Sequence, residues 1–322
     1  MKAIVAVIVC IVGILSSPAP AQKASRPADN AALRYWMAFA QMNDSPISAE
    51  DATQMDAIVN GKAPWDEPKF GPLVEQNKEA IETMIRGTRL PYCEWGVEYD
   101  LGPDAPIAYL PKARALGRLN GLYAKRLANS GDYDSAVRAT TAGIRFARHL
   151  AENASFLGTL TAKAALIPQL EQVKEMAASG RLSSAQLTNL RIAVKTLPEG
   201  AFKWGNAARL EGDGMRRALV TLSRAADPKA VYQEWFGGPA PADFHVPGDA
   251  ELSELQRMMA VYAKLLEIPP DAAQSQLPAL QKQIAGLDAV SQMAVPNPAR
   301  AIAARAEVIG AQHRAAEALG IH

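Results

Sequence analysis

RLPYCEWGVEYDLGPDAPIAYLPKARALGRLNGLYAKRLANSGDYDSAVRATTAGIRFARHL, residues 89–150, is the stretch whose reading decides the fold. Leu116, Leu119, Tyr123 and Leu127 recur at spacings of three and four, which is one apolar stripe of an α-helix. Tyr133, Val137, Thr140, Ile144 and Ala147 repeat the pattern in a second helix. Between the two lies Asn129-Ser130-Gly131-Asp132-Tyr133-Asp134-Ser135-Ala136. Gly131 suits the left-handed residue that ends a helix, Asp134 is expected to accept the free amides of the next, and Ala136 permits close approach. The product is an antiparallel helical hairpin.

Gly180 to Leu187 reuses the device as Gly-x-apolar-x-x-Ala, with Ser183 as N-cap, Gln186 closing a capping box and Leu182 stapling onto Leu187. The two turns are 49 residues apart. Gly131-Asp132-Tyr133-x-x-Ala136 resembles the middle of a tetratricopeptide repeat, whose period is about 34 residues. One period on, Tyr123-Ala124 becomes Leu157-Gly158, which fits, but Gly131 becomes Ala165 and Tyr133 becomes Ile167 beside Pro168, which does not. The fold expected is therefore all-α: stacked antiparallel helical hairpins, tetratricopeptide-like in the centre near 113–150, as an irregular α-solenoid or superhelix.

Outward from this centre, Lys2 is followed by thirteen almost wholly apolar residues, Ala3 to Leu15, and then by Ala19-Pro20-Ala21. That is the order of a secretory signal peptide, too short to span a bilayer, with cleavage expected after Ala21 and export to the periplasm or outside. Its removal takes away Lys2 and leaves 33 basic and 33 acidic residues. Such a balance argues against nucleic acid as a partner. With 49% apolar but 6% aromatic residues, the core is expected to be alanine- and leucine-rich, as closely packed helices require. Cys93 is the one cysteine of the mature chain, so no internal disulfide is expected.

Further helices are expected at Asn30 to Met42, with Leu33, Trp36, Met37 and Ala40 on one face, then after Ser48, and from Leu73 to Arg86. On the C-terminal side they run from Asn153 to Ala178 with a kink near Pro168, Ser183 to Thr196, Glu199 to Ala225, Asp249 to Glu267, Asp271 to Leu287 and Pro298 to Leu319. Residues 22–226 form the hairpin domain, 227–248, rich in Gly and Pro, read as an irregular excursion, and 249–322 as C-terminal helices packing on the main domain. No phosphate loop, dinucleotide fingerprint, nucleophile elbow, His-Glu-x-x-His or paired Cys-x-x-Cys occurs, so no catalytic residue, cofactor or metal is assigned. His149, His245, His313 and His322 are far apart and read as surface or capping residues.

The one candidate ligand site is Cys93, Glu94, Trp95, Glu98, Tyr99 and Asp100, three carboxylates and two aromatics around one thiol. Such a cluster binds a cation or ligand when it lines a cleft. Alternatively, Trp95 and Tyr99 plug the loop onto the hairpin while the acids pair with Arg114, Arg145 or Arg148. Cys93-Glu94-Trp95-Gly96, Gly102-Pro103, Leu110-Pro111-Lys112, Gly131-Asp132-Tyr133 and Ala147-Arg148-His149-Leu150 resemble, in order, the motifs of an uncharacterised family of exported all-helical bacterial proteins. The match covers about Leu90 to Leu197, and the histidine that the pattern places after its proline is here Lys112. The resemblance implies an exported helical protein and brings no activity with it. The function expected is a non-enzymatic scaffold for a protein or peptide partner. A small-ligand site or enzyme at residues 93–100, or a structural protein tethered to the envelope, are the alternatives.

Overall fold

The structure, a computed structural model, describes residues 29–43, 47–99, 101 and 105–321. The expected signal segment and Asp100 lie outside them. Fourteen α-helices and no strand occur among the described residues. The sole β-type contact is an isolated bridge between Asn30 and Tyr92. The fold is all-α, and its helices pack as stacked hairpins. No described helix is long and apolar enough to cross a membrane.

Three helices form the centre: α5 (Tyr109–Asn129), α6 (Tyr133–Ala151) and α7 (Phe156–Ala178), each packed on the other two. Small residues bring them together. A methyl added at Gly117 would sit 3.0 Å from the Ala165 side chain, and one at Gly143 only 2.5 Å from Gln169 Cδ. Pro168 lies within α7, whose N-cap is Ser155 and not Asn153. Gly131 takes φ +85°, which a side chain would oppose, and so turns α5 into α6. The cap of α6 is Asp132, whose carboxylate accepts from Ser135 N at 3.1 Å. Asp134, expected in that role, is one turn too far in and instead accepts from Gln186 Nε2 at 2.6 Å.

The second turn forms as expected. Gly180 has φ +65°, Gln186 N donates to Ser183 Oγ and Ser183 N to Gln186 Oε1, starting α8 (Ser184–Lys195). Arg181 also reaches Tyr133 Oη at 3.4 Å. Two turns distant in sequence therefore meet in space and dock α8 against α6. Ala136, buried three residues into α6, leaves room for this close layering.

Before the centre lie α1 (Ala31–Gln41), α2 (Ala49–Val59), α3 (Glu67–Gln76) and α4 (Lys78–Gly87). The expected apolar face of α1 is the one turned outward. Leu33, Trp36, Met37 and Ala40 are exposed, while Ala31, Ala32, Tyr35, Ala38 and Phe39 are buried. Both faces are apolar, and the alanine face is the one flat enough to lie against α4. The single helix expected at Leu73 to Arg86 is interrupted at Asn77, which is fully buried, accepts from Asn43 N and donates to Leu73 O.

After the centre come α9 (Trp204–Ser223), α10 (Pro228–Phe236), α11 (Asp249–Leu265), α12 (Pro270–Ile284), α13 (Ala289–Ala294) and α14 (Pro298–Ala318). The excursion at 227–248 thus contains a helix. Asp227 caps it through Lys229 N and Ala230 N, Pro228 opens it and left-handed Gly237 closes it. Helix α11 packs on α9, and α14 returns to α7, where Arg314 Nη2 meets Glu171 Oε1 at 2.7 Å.

A cleft and groove along α6

The chain between α4 and α5 is tied down by the Asn30 side chain, by rings of α1 and α5, and by the backbone of His149 and Ser155. Asn30 Oδ1 accepts from Ala32 N and Glu94 N, and its Nδ2 donates to Glu94 O at 2.8 Å. Trp95 enters the core: its ring stacks on Tyr109 at 4.3 Å and on Phe39 at 6.1 Å, and its indole N–H donates to His149 O at 3.2 Å. Tyr99 Oη accepts from Ser155 N at 3.3 Å, next to the cap of α7.

The six expected site residues therefore separate. Cys93 and Trp95 are buried packing. Burial, then the charges of Glu152 and Glu94, push the Cys93 thiol far up, so at neutral pH it is a protonated filler and not a nucleophile. Glu98 points outward, and Asp100 lies outside the described residues. Glu94 and Tyr99 alone reach a cleft, and among the described residues Glu94 forms no ion pair, with Arg114, Arg145 or Arg148 or any other cation. No described group of three or more His, Cys, Asp or Glu residues could hold a metal ion.

That cleft, about 1020 Å³, lies where the C-terminal half of α6 meets the α6–α7 and α8–α9 connections and the first turns of α9. Its charged lining comprises Arg89, Arg145, Arg148, Lys203 and Arg209 against Glu94, Glu152 and Asp213. Arg209 is held by Glu267 at 2.7 Å. A second hollow of about 350 Å³ adjoins it between α4, α6 and α8, with Thr88, Arg89 and Arg145 lining both. Ile85, Val137, Ala142 and Ile192 give this hollow its apolar lining. Thr141 also lines it, and its shielded hydroxyl has no hydrogen-bond partner among the described residues. The two hollows follow α6 from Asp134 to Glu152, a run of about 27 Å at 1.5 Å per residue.

Two further features were not visible in the sequence. His149, expected at the surface, lines the cleft with its inner edge bound, Nδ1 lying 2.6 Å from Tyr35 Oη. Burial, then the charges of Arg148 and Arg145, lower its pKa to about 4, so the ring is neutral at pH 7. Asn153 (φ 52°) and Ala201 (φ 60°) are the two non-glycine residues with positive φ among the described residues, and both line the cleft. Left-handed backbone costs alanine about 1–2 kcal/mol, a strain that concentrates at binding sites. The sequence signals that could have been followed are the isolated Asn153 before a capping serine and the Pro198-Glu199-Gly200 turn.

Comparisons of the chain with protein-family models, curated proteins and solved structures return no match.

Proposed function

We propose that this chain is an exported, non-enzymatic scaffold that binds an extended peptide segment of a partner in the groove along α6. The observation carrying the reading is that the two hollows adjoin along α6, with Thr88, Arg89 and Arg145 lining both. A path of about 27 Å accommodates roughly eight extended residues at about 3.3 Å each. Its apolar stretch beside Ile192 and Val137 supplies burial, and its unpaired polar groups supply orientation, the usual division of labour in peptide recognition. The tetratricopeptide-like turn at Gly131 to Ala136 and the resemblance to an exported helical family support the same reading. Export rests on the order of Lys2, the apolar run and Ala19-Pro20-Ala21.

A second reading, a small polar ligand held in the cleft alone, is favoured by Glu94 and Tyr99 lining it together. Selection of random octapeptides displayed on phage against the full chain separates the two. The groove reading expects a convergent motif whose binding is lost in Thr141→Trp, which fills the hollow between α6 and α8. It is retained in Val261→Ser, on the exposed side of α11. Failure to converge, or binding indifferent to Thr141→Trp, overturns the groove reading.

A further inference from the structure

We infer that the junction of the groove is a carboxylate subsite, in which Arg89, Arg145, Arg148 and the Nε2–H of His149 receive an aspartate or glutamate side chain of the bound peptide. The inference rests on the groove reading for the identity of the ligand as a peptide, and on the cluster itself for its charge.

Arg145 and Arg148 stand three residues apart on α6, where side chains are neighbours and like charges repel. Arg138, two turns earlier on the same helix, is neutralised by Glu82 through bonds of 2.9 and 3.0 Å. Arg89, Arg145 and Arg148 form no ion pair and no side-chain hydrogen bond among the described residues, although Glu94, Glu152 and Asp213 line the same cleft. Those three acids line the larger hollow alone and Asp134 the smaller alone, whereas Arg89 and Arg145 line both. The residues common to both hollows thus carry two positive charges and no negative one, and a guanidinium matches the two oxygens of a carboxylate.

His149 adds a donor of fixed direction. The Tyr35 hydroxyl is fully buried and Nδ1 of His149 is its one hydrogen-bond partner among the described residues, so Tyr35 donates to Nδ1. The ring proton then sits on Nε2, which makes no hydrogen bond among the described residues, on a residue of the cleft wall. Tyr35 is in this sense a positioning residue: it selects the tautomer that gives and does not accept a proton.

The test is nuclear magnetic resonance on the full chain labelled with nitrogen-15 in arginine and histidine. It is titrated with N-acetyl-glutamate methylamide, its glutamine counterpart, and inorganic phosphate. The expected result is saturable shifts of the Arg145 and Arg148 Nε–H and His149 Nε2 signals with the glutamate compound and none with the glutamine one. The apparent affinity should fall about tenfold or more in R145Q/R148Q, with the backbone spectrum otherwise unchanged. In Tyr35→Phe the Nδ1 and Nε2 shifts should report a mixture of tautomers. Phosphate binding more tightly than the glutamate compound would overturn the carboxylate assignment in favour of a phosphorylated residue. Equal response to glutamate and glutamine compounds, or none to any, would overturn the subsite altogether. A glutamate response without any selected peptide leaves the subsite standing and removes the groove.

Discussion

Gly143→Ala probes the packing on which the groove depends. Gly143 lies on α6 facing the fully buried Asn120 of α5 and Gln169 of α7. An alanine methyl would come within 2.5 Å of Gln169 Cδ, 2.6 Å of Asn120 Nδ2 and 2.6 Å of Gln169 Oε1. Ordinary contact is nearly an ångström longer, so one or both amides must move. The hydrogen bond at stake is Asn120 Nδ2 to Ala139 O, 3.1 Å, and leaving such a buried group unmet costs about 1–3 kcal/mol. Overpacking adds about 1–3 kcal/mol, and the better helix propensity of alanine returns about 1 kcal/mol. The expected net loss is about 1–5 kcal/mol, read by urea denaturation. Gly310→Ala in α14, where the nearest atom is the mobile end of Arg314 at 3.3 Å, is the control and should be neutral or stabilising. Adding Gln169→Ala to Gly143→Ala should cost less than the sum of the two changes, because the room it opens takes the methyl. If Gly143→Ala were as stable as Gly310→Ala, the close three-helix contact would be refuted.

Because the folded-state pKa of His149 is lowered from 6.5 to about 4, the unfolded chain takes up a proton that the folded chain refuses between those values. Stability should therefore fall as pH drops through that window, by up to about 3 kcal/mol, and stay level above it; His149→Gln should flatten this dependence. The Cys93 thiol should react with a disulfide reagent at neutral pH only once urea unfolds the chain, and rapid labelling of the native protein would contradict its burial. Ala201→Gly should change stability by less than about 1 kcal/mol, since relief of the φ 60° penalty is offset by unfolded-state entropy and by loss of a buried methyl; a loss above about 1 kcal/mol in thermal unfolding would argue that no strain resides there.

The central hairpin was legible because its signals are local: a glycine at the left-handed position, an acid beside it, and stripes at helical spacing. Even there the cap was placed two residues late, as Asp132 and Asp134 are both acidic and only the backbone chooses between them. On α1 the shared face of Leu33, Trp36, Met37 and Ala40 was legible but not which face is buried, because close approach to α4 rewards smallness around Tyr35 and Phe39 over hydropathy. Helix α10 carried its own Asp-Pro start and Gly stop, but its proline- and glycine-rich surroundings hid them. Of the site, Glu94 and Tyr99 were visible as a dense acidic and aromatic run. Arg145, Arg148, Asn153 and Ala201 come from other segments, and only the packing of α6 beside the α8–α9 connection brings them to one cleft.

The groove along α6 is tested most directly by photo-crosslinking. A selected octapeptide carrying benzophenone at its middle residue should form adducts on α6 between Thr141 and Glu152 and on the facing residues of α8, and Thr141→Trp should abolish them. Adducts on the exposed Leu33, Trp36 and Met37 of α1 would place the partner on the opposite kind of surface, a flat apolar one, and contradict the account.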